Sequence, residues 1–346
     1  AELAARHGRA FARSSTLLYA VNTAGAMLGA LAAGFFLPRL LGYRGAYGAA
    51  MLLSLIVGLI AVGLARPADS GGGREPPAPA AVRVAPGVLA LACVSGFGAL
   101  ALEVLWARMI ALAFQNSVYT FAAVVTVFLG ALVVGAMLAR VLARRVSDGR
   151  TVLGVLLVLA GLSIAASPFV FRGLVVEPGA VGKGEPWGAY VLANLRVLAL
   201  SLVPAAVLLG TVLPFLLRVE ELRDGAHAAG ARLGRLLALN TTGALLGAVV
   251  AGFLLPTLLG LWGAVALCAL LDRVAAAFAA SSTAVRVAAV VLAGGVAAFT
   301  WSSADGARAW NTRKGETVLA VYEGGAGTVF VVDRRGDLKL KLNNSY

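Results

Sequence analysis

The sequence predicts an all-α polytopic membrane bundle that carries a small β-rich appendage near its C-terminal end. The first observation is composition: of 346 residues, 60% are hydrophobic and 13% are charged, and the mean hydropathy is +0.90. Soluble domains carry about 25% charged and about 45–50% apolar residues. This composition therefore excludes a soluble enzyme, a disordered chain and a coiled coil.

The second observation is a series of long apolar segments. Each of about nine segments is long enough to cross a hydrocarbon core of about 30 Å at about 1.5 Å per residue. These predicted spans are residues 15–41, 43–65, 87–114, 118–142, 151–171, 188–217, 236–260, 261–280 and 283–301.

The third observation is a change of character after Trp301, where the chain becomes polar and rich in β-branched residues. Predicted strands cover residues 317–322, 328–333 and 338–342, with turns between them. We divide the chain into the last two helices of a first membrane repeat, a Gly/Pro-rich linker, a second repeat, an extra helix and the start of a β-rich domain. The corresponding ranges are 1–65, 66–86, 87–282, 283–301 and 302–346.

An internal duplication supports this division. Residues 20–46 read AVNTAGAMLGALAAGFFLPRLLGYRGA and residues 238–264 read ALNTTGALLGAVVAGFLLPTLLGLWGA. The two segments share 18 of 27 positions at a constant offset of 218 residues. Fixed self-similarity indicates a repeat, and parallel repeats of six helices are one arrangement found in membrane transporters. The first repeat is then incomplete, with four helices expected upstream of Ala1.

The repeated residues predict how each copy packs. Glycines four residues apart form a small face that lets helices approach closely, and proline breaks or kinks a helix near its end. The asparagines are expected to form an interhelical hydrogen bond, to cap the helix or to contact a substrate. The repeat-packing residues are Asn22, Gly25, Gly29 and Pro38 in the first copy and Asn240, Gly243, Gly247 and Pro256 in the second.

Charge predicts the orientation. The formal net charge is +13, but most arginines lie in short loops between apolar segments, where they favour the cytoplasmic side. About 14 arginines lie in loops on the side of Ala1, against five basic residues on the other side. We therefore predict a multi-pass protein of the plasma or inner membrane with a cytoplasmic N-terminal stretch, and no nucleic-acid partner.

The side of the β-rich tail is left open by the sequence. Nine spans place the tail outside the cytoplasm. Asp272 and Arg273 interrupt the eighth segment, and Arg286 lies near the start of the short ninth segment. If one of these segments lies in the interface, the tail is cytoplasmic. The Asp272–Arg273 pair is interpreted as a helix-end or interfacial pair.

Polar residues within predicted spans are functional candidates because an ionisable side chain in the bilayer is costly. Glu103 is predicted to be paired structurally or to bind a cation or a proton. Arg108 lies about 140° around the helix from it, so Arg108 is expected to snorkel or to pair with another helix. The candidate polar membrane site comprises Glu103, Trp106, Arg108, Asn194 and Arg196.

No catalytic set and no metal-ligand spacing are recognised in the sequence. Cys93 and Cys268 both lie inside apolar segments, and we interpret them as small core residues. The sequence contains no phosphate-binding glycine loop after a strand. No cofactor and no metal are predicted for this chain.

Several motifs resemble those of multi-pass spermidine synthase-like proteins, also called fused major-facilitator/spermidine-synthase proteins. Residues 95–108, SGFGALALEVLWAR, resemble the family signature SG-x-x-x-L-x-x-E-x-x-W-x-R. Residues 210–214 and 240–256 resemble a G-x-x-x-P element and an Asn-Thr-x-Gly block of the same family. Residues 322–346 are similar to the opening β-hairpins of an aminopropyltransferase domain.

The resemblance implies a transferase domain beyond Tyr346 that binds decarboxylated S-adenosylmethionine and a polyamine. The chain would then be the membrane domain that anchors or feeds this transferase, and the family's catalytic residues would lie outside residues 1–346. Two other functions stay open: a transporter-like protein for a cationic small molecule, and a structural subunit that contacts other membrane subunits.

Overall fold

The computed structural model describes residues 20–64, 84–114, 118–146, 148–175, 186–221, 229–302, 316–324 and 327–343. Within these residues, nine α-helical segments precede a three-stranded sheet. The helices are α1 (residues 20–31), α2 (Leu37–Leu64), α3 (Pro86–Ala113), α4 (Val118–Arg145), α5 (Gly149–Leu174), α6 (Trp187–Glu221), α7 (Ala229–Val249), α8 (Leu255–Ala279) and α9 (Thr283–Ser302). The strands are β1 (Thr317–Gly324), β2 (Gly327–Arg334) and β3 (Asp337–Leu342).

Six helical stretches in the described part of the chain are long and apolar enough to cross a membrane, by length and composition. Two of them, Ala20–Leu64 and Arg232–Ala279, run for 45 and 48 residues. A straight helix of either length would measure about 70 Å at about 1.5 Å per residue, more than twice the hydrocarbon thickness of about 30 Å. Each stretch is instead divided by a non-helical glycine, Gly42 in the first and Gly260 in the second. The prediction of a helical membrane bundle thus agrees with the structure at this level.

The two copies of the repeat have the same backbone irregularities. A π-helical turn occupies Ala32–Phe36 in the first copy and Val250–Leu254 in the second. Gly42 has φ 68° and Gly260 has φ 69°, a left-handed conformation that glycine adopts without steric cost. Every one of these features recurs at the 218-residue offset, so the duplicated sequence produces a duplicated local structure.

Helices α3 and α7 pack in parallel through the second copy's glycines. A methyl group built at Gly243 would overlap the carbonyl of Cys93, and one built at Gly247 would overlap the carbonyl of Phe97. Both helices advance in the same direction between these contacts. The absence of a side chain at the two glycines lets the helix backbones touch, as predicted.

Helix α8 runs in the opposite direction to α3. The side chain of Asp272, late in α8, lies 3.7 Å from a Cβ built at Gly98 in the middle of α3. Leu261, which follows the non-helical Gly260 within α8, lies instead beside Glu323, whose charge interacts with Arg108 near the end of α3. Because α7 is parallel and α8 antiparallel to α3, the chain reverses near Gly260.

The first copy packs differently: no helix in the described part of the chain covers its two glycines. Gly25 and Gly29 are exposed, and a Cβ built at either position has no heavy atom within 4 Å. α2 has no buried residue. The physical reason is the absence of a partner helix: the described part of the chain holds no second helix equivalent to α3 at this face.

α1 packs instead on α4 through its opposite surface. A methyl group built at Gly34 would overlap Ala122, and one built at Gly130 would lie 3.1 Å from the sulfur of Met27. As the chain advances along α1, the contacts move back along α4. The two helices are therefore antiparallel.

The C-terminal strands form one antiparallel sheet in the order β1-β2-β3. This confirms the three predicted strands and the turn between the second and third. A short sheet is marginally stable alone in water, but here Phe330 and Val332 on β2 are buried in the same apolar cluster as Leu261 and Ala264 of α8. The sheet is thus stabilised by packing against one end of the helices.

At the opposite end of the bundle, a polar contact joins Asp148, directly before α5, to Ser281, between α8 and α9. Asp148 caps α5 by accepting hydrogen bonds from the backbone N–H groups of Arg150 and Thr151 at 3.1 and 3.2 Å. Its second oxygen accepts a hydrogen bond of 2.6 Å from Ser281, between α8 and α9. The Ser281 hydroxyl and the Thr151 hydroxyl and backbone N–H hold the pKa of Asp148 at about 2.

The duplicated glycines provide a matched test of packing. Gly247→Leu should destabilise the protein by about 1–3 kcal/mol because the new side chain must displace the α3 backbone. Gly29→Leu, at the equivalent but open position, should leave the free energy of unfolding nearly unchanged. The measurement is thermal or denaturant unfolding of both variants in detergent; equal destabilisation by the two variants would contradict the packing described here.

A second test concerns Asp148. Its folded-state pKa lies below the ordinary value of about 3.9, so its contribution to stability is present at neutral pH and is lost as pH falls through about 2. The difference in unfolding midpoint between the wild type and Asp148→Asn should stay constant above about pH 5 and shrink toward pH 2. Ser281→Ala should reduce this pH dependence, whereas a difference that persists unchanged to pH 2 would argue against the capping role.

Candidate functional site

Glu103 lies in the middle of α3, is half-buried and forms no hydrogen bond or ion pair with the described residues. The predicted polar partners of its carboxylate are therefore not found in this part of the chain.

Trp106, one turn along the helix from Glu103, makes a contact of its own. The Trp106 indole N–H donates a 3.0 Å hydrogen bond to the Ser167 hydroxyl on α5. Trp106 is fully buried, so it joins two helices inside the bundle.

Arg108 at the end of α3 links two distant parts of the chain. Its guanidinium donates a 2.7 Å hydrogen bond to the carbonyl of Gly324 at the end of β1. It also donates to the carbonyl of Gly252 in the π-helical turn after α7. The next α-helical donor for that carbonyl would be residue 256, which is a proline and has no N–H. Pro256 thus leaves an acceptor to which Arg108 binds.

Glu323 completes this arrangement. Its carboxylate accepts a 2.5 Å hydrogen bond from the backbone N–H of Leu261, directly after the reversal at Gly260. Burial raises the pKa of Glu323, and this effect is partly offset by the Leu261 hydrogen bond and by the charge of Arg108. The carboxylate therefore joins the first strand of the sheet to a backbone N–H at a helix start, where such groups have no partner within the helix.

We call Arg108, Gly252, Leu261, Glu323 and Gly324 the junction cluster. It brings together the end of α3, the π-helical turn, the start of α8 and the first β-hairpin. The sequence predicts that Arg108 snorkels or pairs with another helix; here it contacts both the π-helical turn and the end of β1. Sequence analysis missed Glu323 because its partner Arg108 lies more than 200 residues away; a charged residue beside glycines at the end of a predicted strand is the only local signal.

A second polar pair lies deeper in the bundle. Asp272 is 1% and Arg273 is 0% exposed, so the expectation of an interfacial pair is wrong. Arg273 donates a 2.9 Å hydrogen bond to the carbonyl of Ala269 in its own helix, and its side chain packs beside Gly161 of α5. Both oxygens of Asp272 lack a hydrogen-bond partner in the described part of the chain. Their compensation comes from the opposite charge next in sequence.

The remaining predicted residues do not form one site. Asn194 is buried in α6, whereas Arg196, two residues later, is exposed. Glu103 is half-buried and Arg196 is exposed, Trp106 and Asn194 are internal, and Arg108 belongs to the junction cluster. Asn240, in contrast, forms the predicted interhelical contact, because its amide donates a 3.1 Å hydrogen bond to the carbonyl of Ala92.

The chemistry of the described residues is that of positioning and charge pairing. Among them, no group of three His, Cys, Asp or Glu side chains could hold a metal ion. Cys93 and Cys268 are both free thiols. The junction cluster consists of one guanidinium, one carboxylate and backbone groups, which attach the sheet to the helices.

The buried pair makes a testable contribution to stability. Asp272→Leu should destabilise the protein by about 3–5 kcal/mol because it leaves the Arg273 charge buried without compensation. The double variant Asp272→Leu/Arg273→Leu should recover much of that loss, since both charges are removed together. Unfolding in detergent of the two single variants and the double variant measures the coupling; additive effects of the single changes would contradict an interacting pair.

Comparisons with protein-family models, with characterised proteins and with solved structures find no match to this chain. The function is therefore argued from the geometry of the junction cluster and from the motifs of the sequence.

Proposed function

We propose that the chain is the membrane domain of a spermidine synthase-like integral membrane protein, and that it holds a β-rich extramembrane domain against one end of its helices. The observation that carries the anchoring role is the junction cluster. Arg108 and Glu323 tie the hairpin to three separate helical elements, and apolar packing of Phe330 and Val332 adds to this attachment. The aminopropyltransferase relationship is supported by the sequence motifs.

The same proposal includes nine spans and a defined orientation. One apolar cluster lies at the end of the bundle that carries Arg144, Arg145 and Arg150, and Val285 and Leu292 of α9 pack against it. Val296 packs instead against the cluster that contains Phe330. α9 thus extends from one end of the bundle toward the other. With the arginine-rich loops in the cytoplasm, the N-terminal stretch is cytoplasmic and the sheet lies on the opposite side of the cell membrane.

The orientation is tested by labelling introduced cysteines in a Cys93→Ser background. A membrane-impermeant maleimide should label Leu338→Cys, which is exposed in β3, in intact cells. It should label Thr283→Cys at the start of α9 only after permeabilisation. Labelling of both positions from the same side would overturn the nine-span arrangement.

The anchoring role predicts that Arg108→Ala loosens the sheet without unfolding the helices. Hydrogen bonds from a charged donor each contribute about 1.5–3 kcal/mol, so amide hydrogen exchange in β1 and β2 should accelerate by about tenfold or more. Arg196→Ala, which removes an exposed arginine, is the matched control. Unchanged exchange in Arg108→Ala protein reconstituted in nanodiscs would show that the junction cluster does not hold the sheet.

The transferase relationship is tested on the complete reading frame that contains this chain. The purified membrane protein, supplied with putrescine and decarboxylated S-adenosylmethionine, should form spermidine. Residues 1–346 alone should form none, because the catalytic residues implied by the resemblance lie beyond Tyr346. A reading frame without a nucleotide-binding domain after the sheet would overturn this part of the proposal.

Glu103, which is half-buried and has no polar partner among the described residues, favours transport of a cationic small molecule as the second candidate. Proteoliposomes that contain the chain would then accumulate spermidine, and Glu103→Gln would abolish this accumulation. Asp337→Asn, which changes an exposed carboxylate of the sheet, is the control. Uptake no greater than that of protein-free vesicles would exclude spermidine transport and leave the anchoring role.

A further inference from the structure

The duplicated helices carry the same packing face, but among the described residues a helix covers that face in the second copy only. In the second copy, Asn240, Gly243 and Gly247 lie against α3. The asparagine amide donates to a carbonyl of α3, and the glycines lie over two further α3 carbonyls. The contact thus combines one side-chain hydrogen bond with close backbone packing between parallel helices.

In the first copy the equivalent residues are Asn22, Gly25 and Gly29, which we call the open face. All three are exposed, and neither glycine has a heavy atom within 4 Å of a built Cβ. Asn22 forms no hydrogen bond with the described residues. The backbones of the two copies share the same π-helical turn and the same glycine reversal, so the open face has the shape of the covered one.

Contact with lipid alone does not account for these residues. An asparagine side chain in an apolar helix leaves its amide donors and carbonyl unsatisfied when it faces hydrocarbon. Exposed glycines add no apolar surface and lower helix stability relative to alanine. In the second copy the same residue types contact a helix backbone, which satisfies the asparagine amide and covers the glycines. The open face is therefore suited to a helix rather than to acyl chains.

We infer that the open face binds a transmembrane helix with the chemistry of α3. Such a helix runs parallel to α1, presents small residues at the contact and offers a backbone carbonyl to the Asn22 amide. The second copy of the repeat specifies this partner. There the same contacts are made by four residues of α3, namely Ala92, Cys93, Gly96 and Phe97. The open face shares no residue with the junction cluster, and its partner does not depend on the proposed function.

A peptide of the α3 sequence, Pro86–Ala113, is the probe. Binding of the fluorescently labelled peptide to the purified chain in nanodiscs should be saturable. Gly25→Leu and Gly29→Leu should each weaken it by at least tenfold, because leucine blocks the backbone approach. Gly48→Leu and Gly58→Leu, at open positions of α2 outside the open face, should bind the peptide as the wild type does.

Three outcomes would overturn the inference. Absence of saturable binding would show that the open face does not accept such a helix. Equal binding by the wild type and Gly25→Leu would place the peptide elsewhere, for example in exchange with α3 itself. A wild-type dimer, measured by light scattering and lost in Gly25→Leu, would identify a second copy of the chain as the occupant.

A variant peptide tests the contact from the partner's side. The Gly96→Leu peptide should bind more weakly than the unchanged peptide, because Gly96 lies against the backbone of α7 in the second copy.

Discussion

The arrangement of the bundle depends on the close approach of the α3 and α7 backbones. Within a bilayer, apolar side chains gain little by leaving lipid for a neighbouring helix, so association relies on close packing and hydrogen bonds. Gly243 and Gly247 remove the side chains that would separate the two helices, and Asn240 adds a hydrogen bond to the same surface. This pairing fixes α3 beside the π-helical turn, and it thereby places Arg108 within reach of Gly252.

The junction cluster shows how one proline can contribute to an attachment between domains. Pro256 removes a backbone donor, the carbonyl of Gly252 becomes available, and Arg108 uses it while also binding the β-hairpin. Glu323 makes the reciprocal contact, from the sheet to the beginning of α8. Helix irregularities that would weaken an isolated helix are thus compensated by groups from a second element, as expected for π-helical turns at functional positions.

The buried pair Asp272–Arg273 and the pair Arg108–Glu323 have different roles in the fold. Asp272 and Arg273 are neighbours in one helix, and their burial beside Gly98 and Gly161 constrains how α3 and α5 pack on α8. Arg108 and Glu323 belong to different parts of the fold and join them. A pair of the first kind serves the internal packing of the bundle, whereas a pair of the second kind determines where the sheet lies relative to the helices.

The sequence by itself determined the apolar helices, the three strands and the duplication, because these depend on local periodicity and on residue types that recur at fixed spacing. It also determined the reversal at Gly260 and the matching conformation of Gly42, since both require a residue without a Cβ. Only the tertiary structure decided that Gly243 is covered while Gly25 is open. The two faces carry the same residue types and differ only in whether a described helix packs on them. The tertiary structure likewise decided the partners of Arg108, since the nearest hairpin carbonyl lies 216 residues away and no local pattern encodes a contact at that separation.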